Sequence, residues 1–410
     1  MDTTIRDELL RMYQAALTRV SGFDAVRRYL EAQPLQGSHY LIAIGKAAAS
    51  MALGALAVSD DAIKAGLVIT KYGHLDARLN RYPHVRCLES DHPVPGEDSL
   101  KAGAELLEFI EQTPADAQFL FLISGGASSL AEVLAEGMEL EGLRKLTDAL
   151  LAGGLSITKM NQVRRSISRI KGGHLAAYLN GRKTTCLLIS DVPGDDPAVI
   201  GSGPLVHVRS EVDLSGLPEN VTRLLGKTKL ISAPQADVFK AITITIIAKL
   251  EDAKQAAAIE AERLNYNATV HPEFLEGDAE QAARLLSKKL IEGPAGVHIW
   301  GGETAVTLPA NPGRGGRNQH LALAAALELN GKQGLYLLAA GTDGTDGPTQ
   351  DAGALVDGGT IARGEQHGRN AKDCLRRADG GTFLEASGDL IRTGPTGTNV
   401  MDLVIGLKIT

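Results

Sequence analysis

Three carboxylates, Asp191, Asp195 and Asp196, fall within six residues in Leu187-Leu-Ile-Ser-Asp-Val-Pro-Gly-Asp-Asp-Pro-Ala-Val-Ile-Gly-Ser-Gly-Pro204, just after an apolar run. Oxygen donors grouped this way suit a hard cation, and Mg²⁺ held by carboxylates usually shares its sphere with phosphate. A solvated acidic turn uses the same residue types. Gly45-Lys46 sets an ammonium beside an expected helix start, where N–H groups without helical partners favour an anion. A solvated lysine fits that pattern equally well. Ser124-Gly-Gly-Ala-Ser-Ser129 reads as a second anion nest, because Gly125 and Gly126 have no Cβ to keep a phosphate from the backbone. The plainer reading is a tight turn with a serine cap. It lacks Gly-x-Ser-x-Gly, which disfavours a nucleophilic serine.

Asn161, Arg164, Ser168 and Lys171 recur at spacings of three and four, which on one helix is a shared face able to grip a carboxylate or phosphate. A solvated basic helix is the alternative. In the second half, Glu303 follows Gly301-Gly302, and Arg317 and Asn318 follow Gly313, Gly315 and Gly316. Gly341-Thr-Asp-Gly-Thr-Asp-Gly347 offers Asp343 and Asp346 but lacks the spacing and downstream Glu of an EF-hand. Gly394-Pro-Thr-Gly-Thr-Asn399 adds amides and hydroxyls.

Short apolar runs ended by Gly, Pro or acids read as buried strands that deliver these loops. Strands are expected at 40–44, 66–70, 85–89, 118–123 and 184–190. Helices are expected at 4–32 (one or a pair, outside the first sheet), 47–58, 97–112, 140–153 and 157–180. The alternation predicts right-handed βαβ units and a mainly parallel sheet, with ligands outside the carboxyl ends of its strands. Ser232-Ala-Pro-Gln235 reads as the crossing between domains 1–235 and 236–410, and 241–247 as the start of a second sheet. Helices at 249–264, 277–292 and 316–329 and strands at 268–271, 335–340 and 403–409 follow. Residues 297–300 and 303–308 flank Gly301-Gly302 as a hairpin.

At 410 residues the chain exceeds one ordinary core, so two α/β domains are expected. Aromatics at 4% give little stacking surface for bases, and a net charge of −7 without a basic run disfavours nucleic acid. The three cysteines are far apart and form neither a disulfide framework nor a metal set. No apolar signal core opens the chain and no run approaches the roughly 18 residues of a membrane span, so a soluble cytoplasmic protein is expected.

Gly45-Lys-Ala-Ala, Ser124-Gly-Gly-Ala-Ser-Ser, Asn161-Gln-Val-Arg-Arg…Ile-Lys-Gly-Gly and Ser190-Asp-Val-Pro-Gly-Asp-Asp…Gly-Ser-Gly-Pro occur in that order. Gly301-Gly-Glu-Thr, Gly315-Gly-Arg-Asn-Gln and Gly341-Thr-Asp-Gly-Thr-Asp-Gly-Pro-Thr continue the series. In this set, which spans nearly the whole chain, the sequence resembles the class II glycerate 2-kinases, with a MOFRL-type segment at about 296–405. The resemblance implies a Rossmann-like first domain, a second α/β domain with a mixed sheet, and an active site in the cleft between them. It also implies ATP- and Mg²⁺-dependent phosphorylation of D-glycerate to 2-phosphoglycerate. The assignments that rest on it make Lys46, Arg317 and Asp191 catalytic, with Lys46 and Arg317 neutralising the transferring phosphoryl. Ser124, Gly125, Gly126, Ser128, Glu303, Asn318, Gly341 and Asp343 would surround the nucleotide. Asn161, Arg164 and Lys171 would bind the substrate, and Mg²⁺ would draw on Asp191, Asp195, Asp343 and Asp346.

D-glycerate and a nucleotide are thus the expected partners, with no membrane or nucleic acid, and a homodimer is left open. Ala127 stands where many relatives have a third glycine. His320 stands where many have Glu, so any carboxylate beside Arg317 must come from elsewhere. Relatives are often labelled hydroxypyruvate reductase, and an NAD(P)H-dependent reductase is the alternative. That chemistry calls for Gly-x-Gly-x-x-Gly and an acid about 20 residues on; neither Gly313-Arg-Gly-Gly-Arg-Asn nor the loop after 40–44 fits.

Overall fold

The computed structural model describes residues 2–153, 155, 157–208, 215–226 and 228–409, and the chain divides into two compact units. One is Gly22–Ile247; the other joins the opening helix to everything from Ala248 onward.

The first unit holds β1 (His39–Ile44), β2 (Ile63–Lys71), β3 (Val85–Ser90), β4 (Gln118–Ile123), β5 (Thr184–Ile189) and β6 (Ile242–Ala248). They lie in the order β3-β2-β1-β4-β5-β6, and β3 to β5 pair in parallel. β1, β4 and β5 are nearly continuous apolar runs because helices cover both faces of such a sheet. Ile42, Phe121 and Leu188 share one core with Leu106 and Ile110 of helix Glu97–Gln112. β1 has β2 on one side and β4 on the other, so the strand order reverses there.

Several expectations change. Residues 241–247 do not open a second sheet: they fall in β6 at the edge of the first, where Thr184 N–H donates to Ala241 O at 2.9 Å. The pattern predicts a strand but not its neighbours. The opening helix, Thr3–Val20, does not cover the first sheet; it packs on helix Leu250–Arg263 and buries Leu9, Met12, Tyr13 and Ala16. The division at 235/236 therefore moves to 247/248, and the first 21 residues change sides. The helix expected over 157–180 breaks into Ile157–Ser166 and His174–Tyr178. Between them Ser168 bridges to Leu134, and Gly172 and Gly173 sit at φ 62° and 88°, which no right-handed helix continues through.

The second unit holds β7 (Ala268–Leu275), β8 (Gly296–Gly302), β9 (Leu335–Gly341), β10 (Gly353–Asp357), β11 (Leu390–Ile391) and β12 (Asp402–Lys408). Their order is β11-β10-β9-β12-β8-β7, parallel at β7–β8 and antiparallel elsewhere. Helices Ala279–Glu292 and Arg317–Leu329 close a core around Trp300, Leu337 and Val404. No hairpin forms at Gly301-Gly302, because β8 runs through both and pairs them with Leu403 and Asp402. β12 enters antiparallel between β8 and β9. Its first residue, Asp402, therefore lies between Gly302 and Gly341, the last residues of its neighbours. Among the described residues no helix is long and apolar enough to cross a membrane.

Candidate active site

Gly45-Lys46 leaves β1 and Ser124–Ser129 leaves β4, so both loops emerge where the strand order reverses, the place at which open α/β sheets bind ligands. The two loops are tied together. Lys46 N–H donates to Gly125 O (2.9 Å), Ala47 N–H to Ser124 Oγ (3.0 Å), and Ser124 N–H to Ile44 O (3.1 Å). Ser124 is fully buried and its N–H is spent on β1, so it joins the loops rather than cradling phosphate. Gly126, at φ 84°, is a point of close approach: a Cβ there would stand 3.0 Å from the His92 imidazole and 3.3 Å from Lys46 Cγ, so glycine lets both side chains lie against the backbone. Ser128 is half-buried in the following turn. Ala127 is buried, and its methyl would lie 3.2 Å from a Cβ on Gly201, so it packs under the β5 loop. Sequence reasoning missed His92; its signal was a polar residue just past β3.

In the loop after β5, Asp191 and Asp195 are half-buried, and Asp195 sits at φ 53°. Asp196 is exposed and accepts from Ala198 N–H at 2.9 Å, a turn bond. Ser202 O and Gly203 O accept from Gly172 and Gly173 N–H at 2.9 and 2.8 Å, which pins this loop to the broken helix. Asn161 is half-buried and Arg164 exposed on helix Ile157–Ser166. It is Arg165 that reaches the acidic loop, donating through Nη2 to Ala198 O at 2.9 Å; burial lowers its pKa.

Lys171 has a role other than the expected one. It is buried, and Nζ is paired with Glu132, whose other oxygen accepts from Ser168 Oγ at 2.6 Å. Because the helix breaks, Ser168 and Lys171 share no face with Asn161 and Arg164. A carboxylate already matched inside the protein leaves that ammonium no reason to seek one on a substrate.

In the second unit Arg317 opens its helix with Nε 2.6 Å and Nη2 3.1 Å from Asp402, and Nη1 2.6 Å from Glu303. Burial alone would lower its pKa, but the Asp402 hydrogen bonds and the charges of Asp402, Glu303 and Asp346 outweigh that and raise it. The carboxylates beside Arg317 thus come from the end of β8 and the start of β12. His320 points elsewhere, 3.3 Å from Glu280. Asp402 had no signal in the sequence, since it begins a strand rather than following one.

Asp346 is buried and caps that helix from another loop: Oδ1 accepts from Asn318 N–H (3.0 Å) and Oδ2 from Gln319 N–H (2.8 Å). Burial pushes its pKa up to about 7 against the pull of those N–H groups, and the charge of Asp402 adds to the rise. With both oxygens engaged by helix amides, Asp346 serves the helix rather than a metal. Asn318 is buried beside it, Nδ2 3.4 Å from Oδ1. Asp343 is half-buried, with Oδ1 accepting from Thr345 N–H (3.0 Å) and Oγ1 (2.9 Å). Tyr13, from the opening helix, donates to Gly341 O at 2.6 Å; burial and then the charges of Asp343, Asp402 and Asp346 raise its pKa.

Residues 8–241 match the family described as "Domain of unknown function (DUF4147)", and residues 296–402 match the MOFRL family. A D-glycerate 2-kinase from Thermotoga maritima is 39% identical over 383 residues, covering 90% of each chain. This chain belongs to the class II glycerate kinase family. A crystal structure of a glycerate kinase from Thermotoga maritima superposes with a TM-score of 0.87 at 35% identity, covering 99% of this chain and 100% of that one. An Agrobacterium vitis relative provisionally named hydroxypyruvate reductase is 36% identical over 423 residues, 98% of this chain and 94% of its own.

In this glycerate kinase family member the carboxylates sort by what already holds them. Asp346 accepts from helix amides, Asp402 from Arg317 and Asp343 from Thr345, and Asp191, Asp195 and Asp343 are half-buried at strand ends. Among the described residues no three His, Cys, Asp or Glu side chains form a ready metal cage. One or two carboxylates completed by phosphate oxygens is the set Mg²⁺ takes, and the residues present fit it. A separate cavity of about 890 Å³, lined by Arg169, His174, Tyr178 and Lys229 among others, contains none of these residues.

Proposed function

We propose that this protein is a glycerate 2-kinase that transfers the γ-phosphoryl group of ATP to the 2-hydroxyl of D-glycerate, giving ADP and 2-phosphoglycerate in a Mg²⁺-dependent reaction. One observation carries the reading: the Gly45-Lys46 and Ser124–Ser129 loops meet where the first sheet reverses its order, with Lys46 and His92 packed closely over the bare backbone of Gly126. The Thermotoga maritima relative, named D-glycerate 2-kinase, supports the choice of acceptor.

Phosphoryl transfer depends on in-line positioning and charge neutralisation more than on covalent help. Gly125 and Gly126 offer backbone N–H groups to a nucleotide phosphate, with Ser128 beside them, and Lys46 brings a positive charge to the transferring group. Arg317 is the second unit's own phosphate-binding cation; Asp402 and Glu303 grip it from two sides, so its planar fork is oriented before the nucleotide arrives. Asn161 and Arg164 take the substrate carboxylate in place of Lys171. Asp191 accepts the proton of the 2-hydroxyl. Asp195, half-buried beside Asp191 in the same loop, would hold Mg²⁺, which when bound would offset the charge of the phosphate oxygens.

The test follows ADP release from ATP, Mg²⁺ and D-glycerate, with product passed directly to enolase and NADH oxidation with hydroxypyruvate run beside it. Product that enolase accepts without a mutase is the expected result. Product that needs a mutase keeps a kinase but moves transfer to the 3-hydroxyl. NADH loss without ADP overturns the kinase in favour of the reductase that the Agrobacterium vitis relative is named for.

A further inference from the structure

Asp402 is aimed by the backbone that precedes it. Its neighbours in register are Gly302 and Gly341, so no cross-strand side chain steers the carboxylate. The residue before it, Met401, is buried and sits at φ 72°, a left-handed conformation that an unbranched L-residue seldom adopts without something holding it. Asn399 Oδ1 accepts from Met401 N–H at 3.3 Å, and the carbonyl side of the turn is held by Thr342. Its N–H donates to Met401 O at 3.0 Å and its Oγ1 donates to the same oxygen at 2.6 Å. That Oγ1 in turn accepts from Val400 N–H at 2.8 Å, so one fully buried hydroxyl closes both sides of the turn. Thr396 Oγ1 donates to Thr342 O at 2.5 Å and braces the clasp from behind. One residue further on, Asp402 meets Arg317 at 2.6 and 3.1 Å.

We infer that Thr342 is a positioning residue for the Arg317–Asp402 pair: its hydroxyl locks the left-handed turn at Met401 and so directs the Asp402 carboxylate onto the guanidinium. The catalytic consequence rests on the kinase reading above; the turn does not. Removing the hydroxyl leaves the buried Val400 N–H without an acceptor and lets the turn relax, which swings Asp402 away and loosens Arg317.

The experiment uses the full chain in four forms: Thr342→Val, Thr342→Ser, Asp402→Asn and the Thr342→Val/Asp402→Asn double variant. Thr342→Val is expected to lower kcat about 10- to 100-fold with KM values little changed, because a small misplacement at the reacting centre is enough for that. Thr342→Ser restores turnover to near wild type. In the Asp402→Asn background Thr342→Val causes little further loss, since both changes act through one carboxylate. Serine no better than valine, near-normal turnover in Thr342→Val, or losses that multiply fully in the double variant would each overturn the inference. Thr342→Ala replaces valine if the latter does not fold. Should the wild type release no ADP, the kinase reading fails, and the same cycle is read from urea-denaturation midpoints. Shifts that add fully then overturn the clasp, and shifts that fall short of additive sustain it.

Discussion

Lys46 and Arg317 bring like charges to the proposed reaction but are built differently. Lys46 is half-buried with its stem packed against Gly126, whereas Arg317 is clamped by Asp402 and Glu303. Lys46→Ala is expected to lower kcat by about 10²–10³, the usual effect of deleting one donor to a transition-state charge, with the melting temperature nearly unchanged. Steady-state ADP release beside a thermal melt checks this, and normal turnover would remove Lys46 from the mechanism. Lys171 should behave in the opposite way. Lys171→Met strands the buried Glu132 carboxylate, so a stability loss of about 3–5 kcal/mol is expected. The KM for D-glycerate should hardly move. A large rise in KM at unchanged urea stability would return Lys171 to the substrate.

At the level of elements, helix Arg317–Leu329 begins behind Gly316, which has no side chain to cap it, and borrows Asp346 from the loop after β9. That arrangement carries a pH signature. The folded pKa of Asp346 is near 7 against an ordinary 3.8, so between those values the folded protein keeps a proton that the unfolded chain has released. Stability from this group is therefore full below about pH 4, falls as pH rises towards 7, and is level above. Asp346→Asn should remove that slope. Urea midpoints from pH 4 to 8, without nucleotide or Mg²⁺, would show it; identical slopes in the two proteins would mean that Asp346 does not hold the proton. Gly126→Ala belongs to the same scale. It forces a Cβ into the left-handed region, which costs about 1–2 kcal/mol, and presses that Cβ against the His92 ring and the Lys46 stem, displacing Lys46. The KM for ATP should rise, as initial rates at varied nucleotide would record.

Across the whole molecule, the opening helix belongs with the last 163 or so residues rather than with those that follow it. Leu9, Met12 and Tyr13 are buried against that unit, and Arg11 pairs with Glu260 at 2.7 Å. Leu9→Ala should cost about 2–5 kcal/mol, as deletion of a buried leucine side chain does. Hydrogen exchange would locate the damage. Protection should fall in β7–β12 and hold in β1–β5; the reverse pattern would put the helix in the other unit.

Local pattern made much of this protein legible. Helix Glu97–Gln112 and strand Gln118–Ile123 fall where apolar periodicity and breakers put them, and the Gly45-Lys46 and Ser124–Ser129 loops follow strands as expected. These features depend on the φ/ψ and burial preferences of a few consecutive residues. Partnership does not. The alternation of 242–248 is the same whichever sheet it joins, and the apolar stripe of Thr3–Val20 demands a cover without naming one. Lys171 reads as an available cation until the break at Gly172-Gly173 turns it onto Glu132. Asp402 becomes Arg317's partner because β12 inserts antiparallel between β8 and β9, which sets the first residue of one strand among the last residues of two others. Such choices come from free-energy differences between distant pairings, which no short stretch of chain contains.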